Sequence, residues 1–292
     1  MGEFFALLTA AFWAGAVICF KRSGDHLPPL WLNFFRVTIS TVLLLVTMLV
    51  ADQAPWRSAS ISQYGLIVAS GIVAIALADT LFHASLNRVG AGLTAIVDCL
   101  YPPLTALFAY LILAEQLSLG DVVGMVLVVA AVLLTTRTRL PEGRTRRDLL
   151  IGLGMGALGM AALSLGVVIV KPVLASQPVI WVTGMRQLVA LAVLTPMVAT
   201  SRRGFSWGQF RRIPRRSLWL ALLGTVLGSY LALMFWLAGM KFTSAGKAAV
   251  LNQTSSIYII ILATLILHEA FTKRKFLACL LAIGGAVVVV AF

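Results

Sequence analysis

This sequence has little charge. Asp, Glu, Lys and Arg make up 11% of its 292 residues, against about 25% in a soluble domain. Hydrophobic residues make up 60%, which leaves too little polar surface to cover a water-facing domain, so a soluble globular fold is excluded. Histidine and cysteine are scarcer still: His26, His83 and His268, and Cys19, Cys99 and Cys279. No CxxC or Cys/His cluster occurs, so neither a metal site nor a disulfide is expected, and the three cysteines read as packing residues within apolar runs. There is no GxxxxGK[ST] loop, no HExxH and no GxSxG, so no ATP hydrolysis, no catalytic residue and no cofactor is expected.

What fills the chain instead is long apolar runs. About 20 residues of helix cross a bilayer, and ten such spans are predicted: 3–20, 29–50, 63–86, 91–114, 119–136, 149–171, 178–200, 217–240, 245–268 and 273–291. The first has no basic residue ahead of it, and Lys21 and Arg22 follow it, so it reads as a membrane helix rather than a cleaved leader. Connections are short, and the two long ones, 137–148 and 201–216, are the most basic.

The net charge of +13 lies in these loops. With no folded domain behind it, it predicts contact with anionic lipid and no nucleic-acid partner. Seventeen Lys and Arg residues fall on the face holding loops 1–2, 3–4, 5–6, 7–8 and 9–10, and four (Arg57, Lys171, Lys241 and Lys247) on the other. The positive-inside rule then places the first face in the cytoplasm and both termini outside.

The chain is written twice. At a shift of 150, Gly2, Lys21, Pro28, Trp31 and Arg36 meet Gly152, Lys171, Pro178, Trp181 and Arg186. At a shift of 154, Ala91, Gly92, Leu113 and Glu115 meet Ala245, Gly246, Leu267 and Glu269. The predicted organisation is a first five-helix repeat at 1–136, a basic connecting loop at 137–148 and a second repeat at 149–292. Five is odd, so the second copy enters the membrane from the opposite face. Inverted repeats about a midplane site are a construction plan of secondary transporters. The fold class expected is therefore all-α, a polytopic membrane protein of ten helices in two inverted repeats.

Ionisable groups at membrane depth are costly and usually face a cavity or a partner. Asp79 and His83 are four apart on span 3, hence on one face. Asp98 lies on span 4, and both aspartates sit about 10–12 Å below the same short turn, where they are placed to face each other. Thr94, Asp98, Tyr101 and Thr105 form one stripe of span 4, and Pro102-Pro103 interrupts its backbone ladder at mid-span. The repeat counterpart of Asp98 is Asn252, followed by Gln253, Thr254, Ser255 and Ser256. Two readings stand for these groups: a proton or substrate-amine site, or inter-helix hydrogen bonding without a ligand.

Trp13, Phe82, Tyr230, Trp236 and Tyr258 are candidates for cavity walls, and Phe82 and Trp236 are repeat-equivalent. Trp31, Trp56, Trp181, Trp207 and Trp219 lie near span ends and read as an interfacial belt. Arg36 and Arg186, deeper in spans 2 and 7, are expected to snorkel or pair with a carbonyl. Glycines four apart, Gly120/Gly124, Gly152/Gly156 and Gly224/Gly228, predict close packing within a monomer, with a dimer contact as the alternative.

On the two repeats, the Lys…Pro…Trp…Arg pattern, the Ala91-Gly92 and Ala245-Gly246 helix starts, and the Ala114-Glu115 and His268-Glu269 helix ends, the chain resembles the drug/metabolite transporter superfamily in its ten-helix, EamA-type branch. The resemblance implies a basket of helices around a central cavity, with the fifth and tenth peripheral. Within the branch the chain is most similar to YddG-type exporters of aromatic and other neutral amino acids. The expectation is an inner-membrane exporter of amino acids or similar small metabolites working by alternating access. Asp79 or Asp98 would meet the ammonium, and Asn252, Gln253 and Ser256 the carboxylate. The alternatives are a proton-coupled exporter of cationic or aromatic drugs, a non-transporting lipid-binding membrane component, and, kept open by Arg36 and Arg186, a nucleotide-sugar carrier.

Overall fold

In the computed structural model the described residues are 2–51, 57–114, 116, 118–135, 145–201, 207–236 and 245–291. Among them there are helices and turns and no strand. The long helices are α1 (Gly2–Ser23), α2 (Pro29–Val50), α3 (Ile61–Val89), α4 (Ala91–Leu113), α5 (Leu119–Thr135), α6 (Arg146–Ser176), α7 (Val179–Ala199), α8 (Arg215–Trp236), α9 (Ala245–Ile266) and α10 (Lys273–Ala291). Seven of these, α1–α4 and α6–α8, are long and apolar enough to cross a membrane. Their outward positions carry Val42, Val46, Leu77, Leu111 and Leu158, all exposed. This is a multi-pass membrane fold, in which apolar side chains face lipid and every span satisfies its own backbone.

Local chemistry sets where the helices begin. Pro29 opens α2 at a position whose N–H would have no helical partner. Ser60 with Gln63, and Thr145 with Asp148, form reciprocal capping boxes at the starts of α3 and α6. Ends are also set: Ala114 and His268 adopt left-handed φ of 54° and 53°, a conformation that terminates helices. These two positions are 154 residues apart, the same shift that relates Glu115 to Glu269.

Two helices depart from α geometry at equivalent places. Gly71–Leu77 in α3 and Thr225–Ala232 in α8 are π-helical, starting 154 residues apart. Packing has the same two-fold pattern. α1 lies against α8 and α9, α6 lies against α3 and α4, α2 meets α7, and α5 runs along α10.

Small residues make the close crossings. A Cβ on Gly156 would stand 2.8 Å from Ser85 Oγ and 2.9 Å from a Val97 methyl, and one on Gly228 would stand 2.7 Å from Ala16 Cβ. α6 is thus seated on α3 and α4, and α8 on α1. At the α5–α10 seam a Cβ on Gly285 would stand 2.8 Å from the Gly124 carbonyl.

The interfacial-belt reading of Trp31 and Trp181 is corrected. They are 2% and 0% exposed. Trp31 stacks on Phe210 at 5.6 Å, in the short helix Trp207–Phe210 that the sequence did not predict. Trp181 meets Tyr64 edge-on at 6.0 Å. Near a helix end on the inner face, the rings close the bundle instead of anchoring it. Trp219, 67% exposed, keeps an outward position. Trp56 and the side chain of Trp207 lie outside the described residues.

Candidate functional site

α2 carries Asn33 and Arg36 one turn apart on its inner face, and both are buried. The Arg36 guanidinium donates from Nη1 to Ser229 Oγ on α8 (2.9 Å), and from Nη2 to Asn33 Oδ1 (3.1 Å) and to the Asp79 carboxylate on α3. The expected snorkelling or carbonyl pairing of Arg36 is therefore corrected: its partner is a carboxylate within the bundle. Buried in the bundle, the guanidinium is stabilised by an opposite charge plus hydrogen bonds.

Asn33 orders the chain around Asp79. Its Nδ2 donates to the carbonyls of Ile75 (3.0 Å) and Ala76 (3.3 Å) and to Thr80 Oγ1 (2.9 Å). These carbonyls fall in the π-helical stretch, where the shift of hydrogen-bond register leaves acceptors for a side chain to fill. The π stretch and Asn33 together fix how Asp79 is presented. Its side chain keeps 20% of its surface exposed, at a depth where the outer face of the bundle is leucine and valine. Such exposure marks an accessible space inside the helices.

Asp98 ends the first half of α4. The helix stops there, Cys99 and Leu100 form a tight turn, and Tyr101 restarts it. Pro102 and Pro103 have no N–H, so the carbonyls four residues earlier lose their donors. Neighbours hold the backbone on either side of the break: Ser256 Oγ on α9 donates to Ala95 O (3.2 Å), and Ser164 Oγ on α6 to Tyr101 O (3.1 Å). The predicted interruption of span 4 is thus present, one turn earlier than the prolines themselves.

The Trp13 indole on α1 is a hydrogen-bonding neighbour of Asp98, and Asp79 is a charged neighbour of it. The indole N–H can only donate, so the carboxylate accepts. The Trp13 ring lies 5.9 Å from that of Phe82. Tyr101 interacts electrostatically with both Asp98 and Arg186, and Arg186 with Asp79 and Tyr101. Trp13, Asp79, Asp98, Tyr101 and Arg186 are all partly exposed, and Phe82 is 4% exposed. One cluster thus draws on α1, α2, α3, α4, α7 and α8.

The remaining candidates are placed differently. His83 is 1% exposed, held edge-on between Phe20 (5.1 Å) and Phe82 (5.6 Å), and no hydrogen bond joins it to Asp79. Ser256 is engaged with α4, through Ala95 O and through Cys99 Sγ at 3.4 Å. The Tyr230 hydroxyl shares a 2.8 Å hydrogen bond with Thr47 Oγ1 on α2. Tyr258 packs against the main core, and Trp236 ends the described part of α8. Asn252 has a buried Oδ1 with no partner. The side chain of Gln253 lies outside the described residues.

Asn33, Ser229, Arg36 and Arg186 are the members of the cluster that sequence reasoning left out or misjudged. Asn33 and Arg36 are three apart and so share a face; that spacing was the available signal. Nothing in the sequence points to Ser229.

A model of the EamA-like transporter family matches residues 1–137 and 150–291. The chain belongs to the EamA-like transporter family. Among Bacillus subtilis (strain 168) proteins it is similar to the uncharacterized transporter YetK, 26% identical over 136 residues, which is 47% of this chain and 40% of that one. It is also similar to the uncharacterized transporter YoaV, 21% identical over 137 residues, 47% of each. The match spans less than half the length of either relative. A solved crystal structure shares the fold, with a TM-score of 0.68 at 17% identity over 98% of this chain and 95% of that one.

Proposed function

We propose that this protein exports amino acids, aromatic and neutral ones foremost, across a bacterial inner membrane by alternating access. The observation that carries the reading is the partly exposed cluster of Trp13, Asp79, Asp98, Tyr101 and Arg186, which combines both charges with aromatic rings at mid-bundle. A zwitterion with an apolar side chain needs that combination, and a hydrocarbon or lipid ligand does not.

In this reading ten helices cross the membrane as two inverted repeats, residues 1–136 and 149–292, joined by the basic segment 137–148. The paired π stretches, the paired left-handed ends at Ala114 and His268, and the two family matches support the repeat. The two copies rock about the cluster and open it to one side at a time. In the same reading loops 137–148 and 201–216 lie in the cytoplasm and both termini outside, the orientation that the Lys and Arg distribution favours. The glycine-seated crossings lie within one chain and support a monomer.

Cells that take up phenylalanine-containing dipeptides and hydrolyse them accumulate phenylalanine and need an export route. Expression of this protein is expected to lower internal phenylalanine and raise it in the medium. Unchanged internal levels with the protein present in the membrane would reject phenylalanine export. A drug exporter, the competing reading, would instead protect cells against cationic dyes.

A further inference from the structure

Four ionisable side chains, Arg36, Asp79, Asp98 and Arg186, meet between α2, α3, α4 and α7, and only two of them are matched. Arg36 and Asp79 form an ion pair, completed by Asn33 and Ser229. Asp98 has the Trp13 indole and, as its charged neighbour, the like charge of Asp79. Arg186 has no ion pair or hydrogen bond to its guanidinium among the described residues, and its Nε is buried and bare. Tyr101 lies within the field of both Asp98 and Arg186.

The mismatch follows from the repeat. Arg36 and Arg186 are equivalent at shift 150, and so are Asn33 and Thr183. At shift 154 Asp79 falls on Leu233 and Asp98 on Asn252. The second copy keeps the arginine and lacks the carboxylate that neutralises it in the first. The first copy carries an extra aspartate. An unmatched cation and an unmatched anion at membrane depth are each costly until something supplies the opposite charge. Both remain partly exposed, while Arg36 and Asn33 beside them are buried.

We infer that Asp98 and Arg186 form a two-point receptor for the zwitterionic head of an α-amino acid. Asp98 takes the ammonium and the Arg186 fork takes the carboxylate. The substrate side chain lies against Trp13 and Phe82. This assignment rests on the amino-acid reading above and narrows it. It removes Asp79 from ligand duty, because Arg36 already occupies it, and replaces Ser256 as carboxylate partner with Arg186. It also sets specificity: an amine leaves Arg186 unmatched, a carboxylic acid leaves Asp98 unmatched, and either mismatch is penalised.

Equilibrium binding of L-phenylalanine, phenethylamine and 3-phenylpropionate to the purified full-length protein tests it. The wild type is expected to prefer phenylalanine over each truncated analogue by at least about tenfold, the size of one charged hydrogen bond. Arg186→Gln should weaken phenylalanine and leave phenethylamine unchanged, so that the preference over the amine disappears. Asp98→Asn should do the same against 3-phenylpropionate. Arg186→Lys should retain part of the preference, since a point charge replaces the fork. A thermal melt confirms that each variant is folded. If the folded variants lose all three ligands equally, or keep the wild-type ratios, the receptor is wrong. Failure of the wild type to bind phenylalanine also overturns it. Counterflow of the twenty natural amino acids then separates the two claims: exchange of any of them keeps the amino-acid reading, and exchange of none ends both.

Discussion

The Arg36 guanidinium on α2 is paired with the Asp79 carboxylate on α3, while its repeat counterpart Arg186 on α7 forms no ion pair among the described residues and feels Asp79 only at longer range. One arginine is a structural element of the bundle and the other is available to a ligand. This asymmetry between two equivalent positions organises the expected behaviour of the site.

Removing one partner of the Arg36–Asp79 pair leaves a charge uncompensated. Asp79→Ala is expected to destabilise the protein by about 3 kcal/mol, the low end of the range for breaking a buried pair because Asp79 is partly exposed. Arg36→Leu combined with Asp79→Leu should recover much of that loss. Detergent-solubilised thermal melts of the single and double variants check this; equal destabilisation by the pair and by Asp79→Ala would refute the coupling.

Glu269 closes the start of α4 from the other repeat. Its carboxylate accepts the N–H groups of Ala91 (2.6 Å) and Gly92 (3.0 Å), and Lys275 lies 3.6 Å from it. Glu269→Ala frees two N–H groups at a helix start and is expected to cost about 1–2 kcal/mol. Gly90→Ala should cost more than a surface change, because Gly90 has φ +85° and a Cβ there would run into the Glu269 carboxylate. Melting temperatures of both variants test the pair of claims, and an unshifted value for Glu269→Ala would contradict the capping role.

Trp13 contributes a ring to Phe82 and an N–H to Asp98. Trp13→Phe keeps the first and removes the second. Affinity for phenylalanine is expected to fall by about tenfold, the size of one hydrogen bond to a charge, whereas Trp13→Ala should lose more. Binding isotherms of the two variants decide it. A Phe variant as impaired as the Ala variant would mean that the ring plays no part in holding substrate.

Orientation is open to a chemical test. In a background with Cys19, Cys99 and Cys279 replaced, Thr145→Cys and Gln177→Cys place single thiols at opposite ends of α6. A membrane-impermeant maleimide added to intact cells is expected to label the Gln177 site and to reach the Thr145 site only after permeabilisation. The reverse pattern would overturn the positive-inside assignment.

Much of the fold was legible because membrane helices declare themselves by length and apolarity. The span limits 29–50, 91–114 and 273–291 match α2, α4 and α10 within a residue or two. The repeat markers were legible too, but not what they do. Ala91, Gly92 and Glu269 stood out as recurring letters; that one caps the others is a contact across 177–178 residues, which no local pattern encodes. Glu115, the residue that corresponds to Glu269 at shift 154, lies outside the described residues.

The site was only half readable. Asp79 and Asp98 were visible as rare charges at matched depth, and Trp13 and Phe82 as aromatics on the right helices. Arg36 was misjudged because span and depth do not say which neighbour a helix face meets. Trp31 and Trp181 were misplaced for the same reason: nearness to a helix end is sequence information, and facing inward is not. The π stretches, which contain no proline and begin at Gly71 and Thr225, carry no local signal at all.

Counterflow in liposomes tests the central claim most directly. Purified protein is reconstituted, loaded with unlabelled amino acids and supplied with labelled phenylalanine, with and without a pH gradient. Transient accumulation above protein-free liposomes, abolished in Asp98→Asn and Arg186→Gln, is the predicted result. No accumulation of any amino acid under either condition would contradict the account.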